Sequence, residues 1–286
     1  MLIDAHQHFW RYDPADYAWI GPGMEVLARD RLPVDYAALR ERHGVHATIA
    51  VQARGDEADT AWLLQLARQH DWIAGVVGWV ALRDAGVAAR LAHWQAQGPL
   101  VGIRHQVQDE PDPAALLADA AFNRGVAAVQ QAGLVYEVLL RHDQLHAAID
   151  FCARHAAAPL VLDHLGKPDI SGDTAAFARW ESQMRALAAL PHVSVKISGL
   201  VTEAGRDAGG DLDVAGIRRH LDTAFALFGA DRLLFGSDWP VCELAASFDD
   251  VLALARDWAA PLSEDSREAI FGGNAHTIYL GAQRTR

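Results

Sequence analysis

The chain has 286 residues, is 51% hydrophobic, and carries a net charge of −12 from 37 acidic against 25 basic residues. That length allows one large domain or two. An acidic chain with no lysine- and arginine-rich stripe is a poor partner for nucleic acid or an anionic membrane surface, and no run approaches the roughly eighteen uninterrupted apolar residues of a membrane span.

The two cysteines, Cys152 and Cys242, are too far apart and too few for a disulfide framework or a thiolate metal site, and they suit a reducing cytoplasm. A strand that begins at Leu2 leaves no room for a basic segment and long apolar run ahead of it, so no signal peptide is expected.

Short apolar, β-branched runs predict strands over 2–8, 47–53, 73–82, 100–107, 134–140, 159–164, 193–198 and 232–238. Each precedes a segment of helical period, over 34–43, 57–70, 87–97, 113–131, 144–155, 174–190, 214–228 and 248–259. Leu145, Ile149 and Cys152 make one apolar stripe, and Phe177, Trp180, Met184 and Leu187 make another. Strand–helix alternation eight times over predicts an α/β fold, a single (β/α)8 TIM barrel spanning 1–286 as one domain. An open doubly wound sheet would carry a glycine-rich phosphate turn after its first strand, whereas Phe9-Trp10-Arg11-Tyr12 follows here. Residues beyond Pro261 predict an additional C-terminal helix on the outside of the barrel. The irregular stretches 9–31 and 199–213 are expected on the C-terminal rim, where such barrels bind ligands.

Four of the fourteen histidines fall at strand ends: His6 and His8 on the first, His105 on the fourth and His164 on the sixth. The eighth strand runs Leu233-Leu234-Phe235-Gly236-Ser237-Asp238, an apolar segment that delivers a carboxylate where it would be costly unless paired or metal-bound. In the seventh, alternation sends Val193, Val195 and Ile197 toward the helices and Lys196 toward the axis. Glu137 and Arg104 add polar groups on the fifth and fourth. Imidazoles and a carboxylate on one rim suit metal-assisted or general-base hydrolysis, with water as nucleophile because no serine or cysteine sits in a recognisable elbow. Asp238 is the expected base, His164 and Arg104 its catalytic companions, and His6, His8 and Asp238 the expected metal ligands. His105, Lys196, Trp10, Trp239 and Glu137 are expected to touch substrate, with a purely structural salt bridge inside the barrel an equal alternative for Glu137 and Lys196.

Asp4-Ala5-His6-Gln7-His8, Asp163-His164-Leu165-Gly166-Lys167-Pro168 and Gly236-Ser237-Asp238-Trp239-Pro240 together resemble the amidohydrolase superfamily, and within it the amidohydrolase-2 branch. Gly102-Ile103-Arg104-His105, Lys196-Ile197-Ser198-Gly199-Leu200 and Gly273-Asn274-Ala275 extend the resemblance over nearly the whole chain. It implies a barrel and a lactone hydrolase similar to the L-fuconolactonase type, which opens an aldonolactone to the aldonic acid. The fifth strand departs from metal-dependent members by offering Tyr136-Glu137-Val138 in place of a histidine. That departure argues against two metals. It leaves open one divalent ion, zinc by its ligands, with Glu137 or water completing the shell, or a dispensable metal with Asp238 activating water unaided. Alternatives are a dicarboxylate lactone of the pyrone or muconolactone type, and a non-catalytic carbohydrate-binding barrel. The sequence does not fix oligomeric state.

Overall fold

The first strand, β1 (Leu2–Gln7), pairs in parallel with β2 (Val45–Val51), and the pairing continues in chain order through β3 (Ile73–Gly78), β4 (Leu100–His105), β5 (Val135–Val138), β6 (Leu160–Leu162), β7 (Val193–Ile197) and β8 (Leu233–Phe235). This is a computed structural model, describing residues 1–206 and 210–281. Helices between the strands are α1 (Pro33–His43), α2 (Glu57–Gln69), α3 (Val87–Gln95), α4 (Pro113–Ala118), α5 (Ala120–Gln131), α6 (Leu145–Arg154), α7 (Thr174–Ala188), α8 (Leu200–Glu203) and α9 (Val214–Phe228). After β8 come α10 (Phe248–Ala259) and α11 (Glu264–Glu268). The eight strands curl into a nearly closed (β/α)8 barrel, as the alternation predicts. Residues 207–209 of the rim stretch 199–213, and 282–286 at the end of the chain, lie outside the described residues.

The helix expected over 113–131 is two helices. Asp119 takes extended dihedrals between them, and its carboxylate accepts the Phe122 N–H as an N-cap, so the chain restarts there. The last strand is short because Gly236 leaves the ladder, which frees Ser237 and Asp238 to turn.

The terminal segment corrects another expectation. Rather than lying on the outside of the barrel, residues after α11 cross its N-terminal mouth. Ala275 and Tyr279 bury against Ile3, Ile49, Val77, Val101, Val135, Val161 and Leu234, the inward apolar layer. Asn274 Nδ2 donates to the carbonyls of Ala230 and Leu233, tying this plug to the start of β8. The outward faces of the strands pack on the helices as the larger core.

Candidate active site

Barrel closure itself assembles the site. The Asp238 N–H donates to the His6 carbonyl at 2.8 Å, and the His8 N–H donates to the Trp239 carbonyl at 2.7 Å. The register of β1 slips between Asp4 and Gln7, where Thr48 and Ala50 are their partners on β2. Strict alternation would put Asp4 on the same face as His6 and His8; the extra residue separates them, as bulges beside active sites do. Asp4 instead serves as a clasp. Its buried carboxylate accepts from Tyr36 Oη on α1 (2.8 Å), the Ser237 N–H (2.8 Å), Ser237 Oγ (2.5 Å) and the His6 N–H (3.1 Å). Burial pushes its pKa up, and the Ser237 and Tyr36 bonds oppose the rise.

Above the clasp, His6 Nε2 lies 3.1 Å from His8 Nε2, and Asp238 Oδ1 lies 3.4 Å from the latter and 3.7 Å from the former. His8 Nδ1 sits 2.8 Å from the Val51 carbonyl. A carbonyl only accepts, so Nδ1 carries the proton and Nε2 presents its lone pair. Tetrahedral zinc ligands at about 2.0–2.1 Å stand about 3.3 Å apart, so these three donors are spaced for one ion. Ligation through His6 Nε2 would need its Nδ1–H turned to Asp163 Oδ1, 3.5 Å away.

A second trio, His6, Asp163 and His164, is also close enough to share an ion. Its positive charge is already supplied. Arg104 Nη1 is 3.0 Å from Asp163 Oδ2, and Lys196 Nζ is 3.2 Å from Asp163 Oδ1. The donor set therefore fits one divalent ion and not two.

Charges in the cluster are set by burial against neighbours. Burial pushes the Asp238 carboxyl up, but His164, His8 and His6 outweigh it and hold the group well below the ordinary carboxylate range. Asp163 behaves likewise, with Lys196 and His6 prevailing over burial. Burial takes His164 down to about 4, so the ring is neutral at neutral pH. His6 is lowered by burial and then by Lys196.

His164 and Asp238 both occupy the left-handed region, with φ of 55° and 57°. Non-glycine residues there hold strain of about 1–3 kcal/mol, which the surrounding structure must enforce. At His164 the enforcement is visible: Nδ1 is 2.9 Å from Ser198 Oγ, and Gly199, itself at φ 68°, leaves room for the ring. A Cβ on Gly199 would lie 2.6 Å from His164 Nδ1.

The rings open onto a cavity of about 400 Å³ at the C-terminal rim. His8, Arg104, His164 and Asp238 line it from below; Gln106, Gln108, Lys167, Glu203, Trp19 and Leu139 line it further out. Lys167 Nζ faces Glu203 Oε1 at 3.8 Å, and Gln106 Nε2 donates to Gln52 Oε1 at 3.0 Å.

Thus His6, His8, Arg104, His164 and Asp238 come together, and the other expected contacts do not reach the cavity. His105 faces outward from β4, between Trp79 and Phe122 with Nε2 2.7 Å from Glu110 Oε1, because alternation gives the inward place to Arg104. Trp10 is buried under the rim loop and donates to the Arg29 carbonyl, and it is Trp19 from the same loop that lines the cavity. Trp239 packs on Phe9 and Tyr36 and donates to Glu243. Lys196 is fully buried beneath His6. Glu137 lies lower still, against Lys196 and Tyr279, and is not among the donors grouped with His6, His8 and Asp238. Gln106, Gln108, Lys167 and Glu203 are cavity residues that sequence reasoning missed. Lys167 and the two glutamines had a signal, since they lie in the short segments just beyond the strand-end residues His164 and Arg104.

The amidohydrolase family profile matches residues 3–280. An L-fucono-1,5-lactonase of Burkholderia multivorans is 51% identical over 284 residues, covering 98% of this chain and 96% of that protein. An L-fucono-1,5-lactonase of Burkholderia ambifaria is 35% identical, with 97% and 94% covered. The crystal structure of a Burkholderia multivorans amidohydrolase with bound zinc superposes with a TM-score of 0.93 at 51% identity, covering 98% of this chain and 99% of that one.

Proposed function

Because the chain belongs to the amidohydrolase family, we propose that it hydrolyses a sugar lactone, L-fuconolactone or a close relative, to the aldonic acid with water activated by Asp238. The observation that carries this reading is one cavity bordered by an ionised carboxylate, a neutral imidazole and a guanidinium, in a chain 51% identical to an L-fucono-1,5-lactonase.

Asp238 Oδ1 faces the two imidazoles, which leaves Oδ2 to take a proton from water. The hydroxide oxygen adds to the lactone carbonyl. Arg104 and His164, the latter acting in the Nε2–H form in which Nδ1 would accept from Ser198 Oγ 2.9 Å away, stabilise the oxyanion that develops. Collapse breaks the bond to the ring oxygen, and the proton held by Asp238 passes to that departing alkoxide. A divalent ion, zinc by donor type, would be held by His6, His8 and Asp238, where it would polarise the carbonyl and acidify water. Purified protein is expected to carry close to one zinc per chain and never two by elemental analysis, and His8→Ala none; two equivalents would overturn the assignment of Arg104 and Lys196 as the resident positive charge.

A dicarboxylate lactone suits the cavity poorly. Arg104 is paired with Asp163 and Lys167 faces Glu203, so neither lining cation described is free of an acidic neighbour to receive a dianion. Gln106, Gln108 and Trp19 suit neutral hydroxyls. The test is proton release from a panel of five- and six-membered aldonolactones beside a pyrone dicarboxylate at equal concentration. A preference for a neutral lactone of at least about 10²-fold in kcat/KM is expected, equivalent to about 2.7 kcal/mol. Turnover of no lactone would sink the reading.

We place the enzyme in the cytoplasm, since both cysteines are buried free thiols and no described helix is long and apolar enough to cross a membrane. The acidic charge of −12 supports a small-molecule partner rather than nucleic acid.

A further inference from the structure

The cavity has two unlike walls, and the topology of the barrel sets them across from each other. Beyond the central His8, Arg104, His164 and Asp238, its apolar lining comes from the segments after β1, β2 and β8: Trp19, Met24, Ala53, Val241 and Leu244. Its polar lining comes from the segments after β4, β6 and β7, chiefly Gln106, Gln108, Lys167 and Glu203. Leu139, after β5, is an apolar exception on the polar side. The strands follow one another around the barrel in chain order, so the ends of β8, β1 and β2 face those of β4, β5 and β6.

Trp19 is the only Phe, Tyr or Trp in the lining described. Its neighbours explain how it is presented. Tyr17 and Ile20 are buried in the rim loop's own core, and the Ile20 N–H donates to the Tyr17 carbonyl at 2.9 Å. Ala18 and Trp19 therefore form the tip of a turn whose two ends are anchored. Trp19 is 39% exposed, against 3% for Tyr17 and 9% for Ile20. An edge contact with Trp10, at 5.8 Å and 89°, steadies the indole, and Trp10 is itself buried and bonded to the Arg29 carbonyl. Among the described residues no other ring and no cation packs on Trp19. The loop is closed at its neck by backbone bonds between Trp10 and Arg31, of 2.9 and 2.8 Å, and Arg31 Nη2 fastens it to Glu243 Oε2 at 2.6 Å. The indole is thus held in place before any ligand arrives, and a ligand does not bear the cost of ordering it.

An aromatic face carries negative charge density, and it attracts C–H bonds that neighbouring oxygens have polarised. A sugar ring whose C–H bonds gather on one side offers such a face, with its hydroxyls directed elsewhere. We propose that Trp19 is a specificity-determining residue: the lactone ring lies with its C–H face on the indole and turns its hydroxyls to Gln106, Gln108 and Glu203 on the other wall. The substrate class narrows accordingly to cyclic lactones with one face bare of hydroxyls. That the ring is a lactone rests on the lactonase reading; the preference for a ring with one bare face does not.

The experiment uses the full-length protein with its indole nitrogens isotopically labelled for NMR. It is titrated with L-fucose, a pyranose without a lactone carbonyl to react, and with the corresponding open-chain alditol. The Trp19 indole signal, assigned by its loss in Trp19→Phe, is expected to shift saturably with the ring sugar and to stay in place with the alditol. With L-fuconolactone, Trp19→Ala is expected to raise KM about tenfold, the weight of one aromatic contact, with kcat within about threefold and Trp19→Phe recovering most of the loss. Wild type is expected to prefer L-fuconolactone to the epimer that moves one hydroxyl onto the bare face, and Trp19→Ala to lose most of that preference. Trp19 lies outside the loop's core, so its truncation leaves the fold intact. An indole signal unmoved by L-fucose, an equal shift with the alditol, or an unchanged KM in Trp19→Ala overturns the proposal. So does a fall in kcat at constant KM, which would make the ring a shield against water. If no lactone is turned over, a saturable shift with L-fucose alone still upholds the platform, and the failure belongs to the lactonase reading.

Discussion

Asp238→Asn is expected to lower kcat by about 10²- to 10⁴-fold, the range over which a positioned general base acts, while KM stays within about threefold. The substitution is close to isosteric, and asparagine is among the few residues that tolerate the left-handed conformation found at position 238. The barrel-closing bond from the position 238 N–H to the His6 carbonyl is made by backbone and survives. What changes is the charge. Asp238 is ionised throughout the physiological range because His164, His8 and His6 overcome the burial that pushes its pKa up. The amide can hold a water molecule but cannot take its proton. The depressed pKa makes Asp238 a weak base, and a lactone, more electrophilic than an open ester, is the kind of substrate for which a weak base suffices. Steady-state kinetics beside a thermal melt checks the prediction. Near wild-type kcat in a folded variant would remove Asp238 from the role of base.

The architecture was legible because it depends on periodicities that the chain states openly. Eight apolar runs, each followed by a stripe such as Phe177, Trp180, Met184 and Leu187, admit few topologies. The convergence of His6, His8, His164 and Asp238 was legible for a related reason: parallel strands in a barrel deliver their C-terminal ends to one rim. The rest depended on details that periodicity does not carry. The slip in β1 turns Asp4 away from the histidines, and no local signal in Ile3-Asp4-Ala5-His6 marks it. Which of Arg104 and His105 faces the axis depends on where alternation starts, and adjacent residues cannot share that face, so an Arg-His pair in sequence is one cavity residue and one outer residue. Trp10 and Trp19 have the same composition-level appeal. The loop's own core, formed by Trp10, Tyr17, Ile20, Leu27 and Ala53, takes the first and leaves the second at the cavity. The terminal segment was misplaced because apolar residues after a barrel's last helix fit the outer surface and the bottom mouth equally well. Tyr279, a hydroxyl with a buried carboxylate to meet, and Asn274, bonded to the Ala230 and Leu233 carbonyls, distinguish the two.

The second large effect is on stability. Asp163→Ala is expected to destabilise the fold by about 3–5 kcal/mol, the cost of removing one partner from a buried ion pair. Asp163 faces two cations, Arg104 Nη1 at 3.0 Å and Lys196 Nζ at 3.2 Å, and is itself wholly buried. Without it, Arg104 keeps the Gln52 carbonyl, a neutral acceptor, at 2.5 Å, and Lys196 keeps only Glu137 as a charged partner. The natural comparison is Glu137→Gln. Burial, then Asp163, pushes Glu137 up to about 7 against the pull of Lys196, so much of its charge is already absent at neutral pH. Asp163 by contrast keeps its charge at every pH at which the protein is handled. Two carboxylates bonded to the same lysine therefore differ in what their neutralisation costs, and Glu137→Gln is expected to lose less than half as much stability as Asp163→Ala. Urea denaturation at pH 7, with the midpoint and slope measured for each variant, separates them. Equal losses would mean that the charge of Asp163 is not what balances Arg104 and Lys196, and that the absence of a second metal site needs another cause.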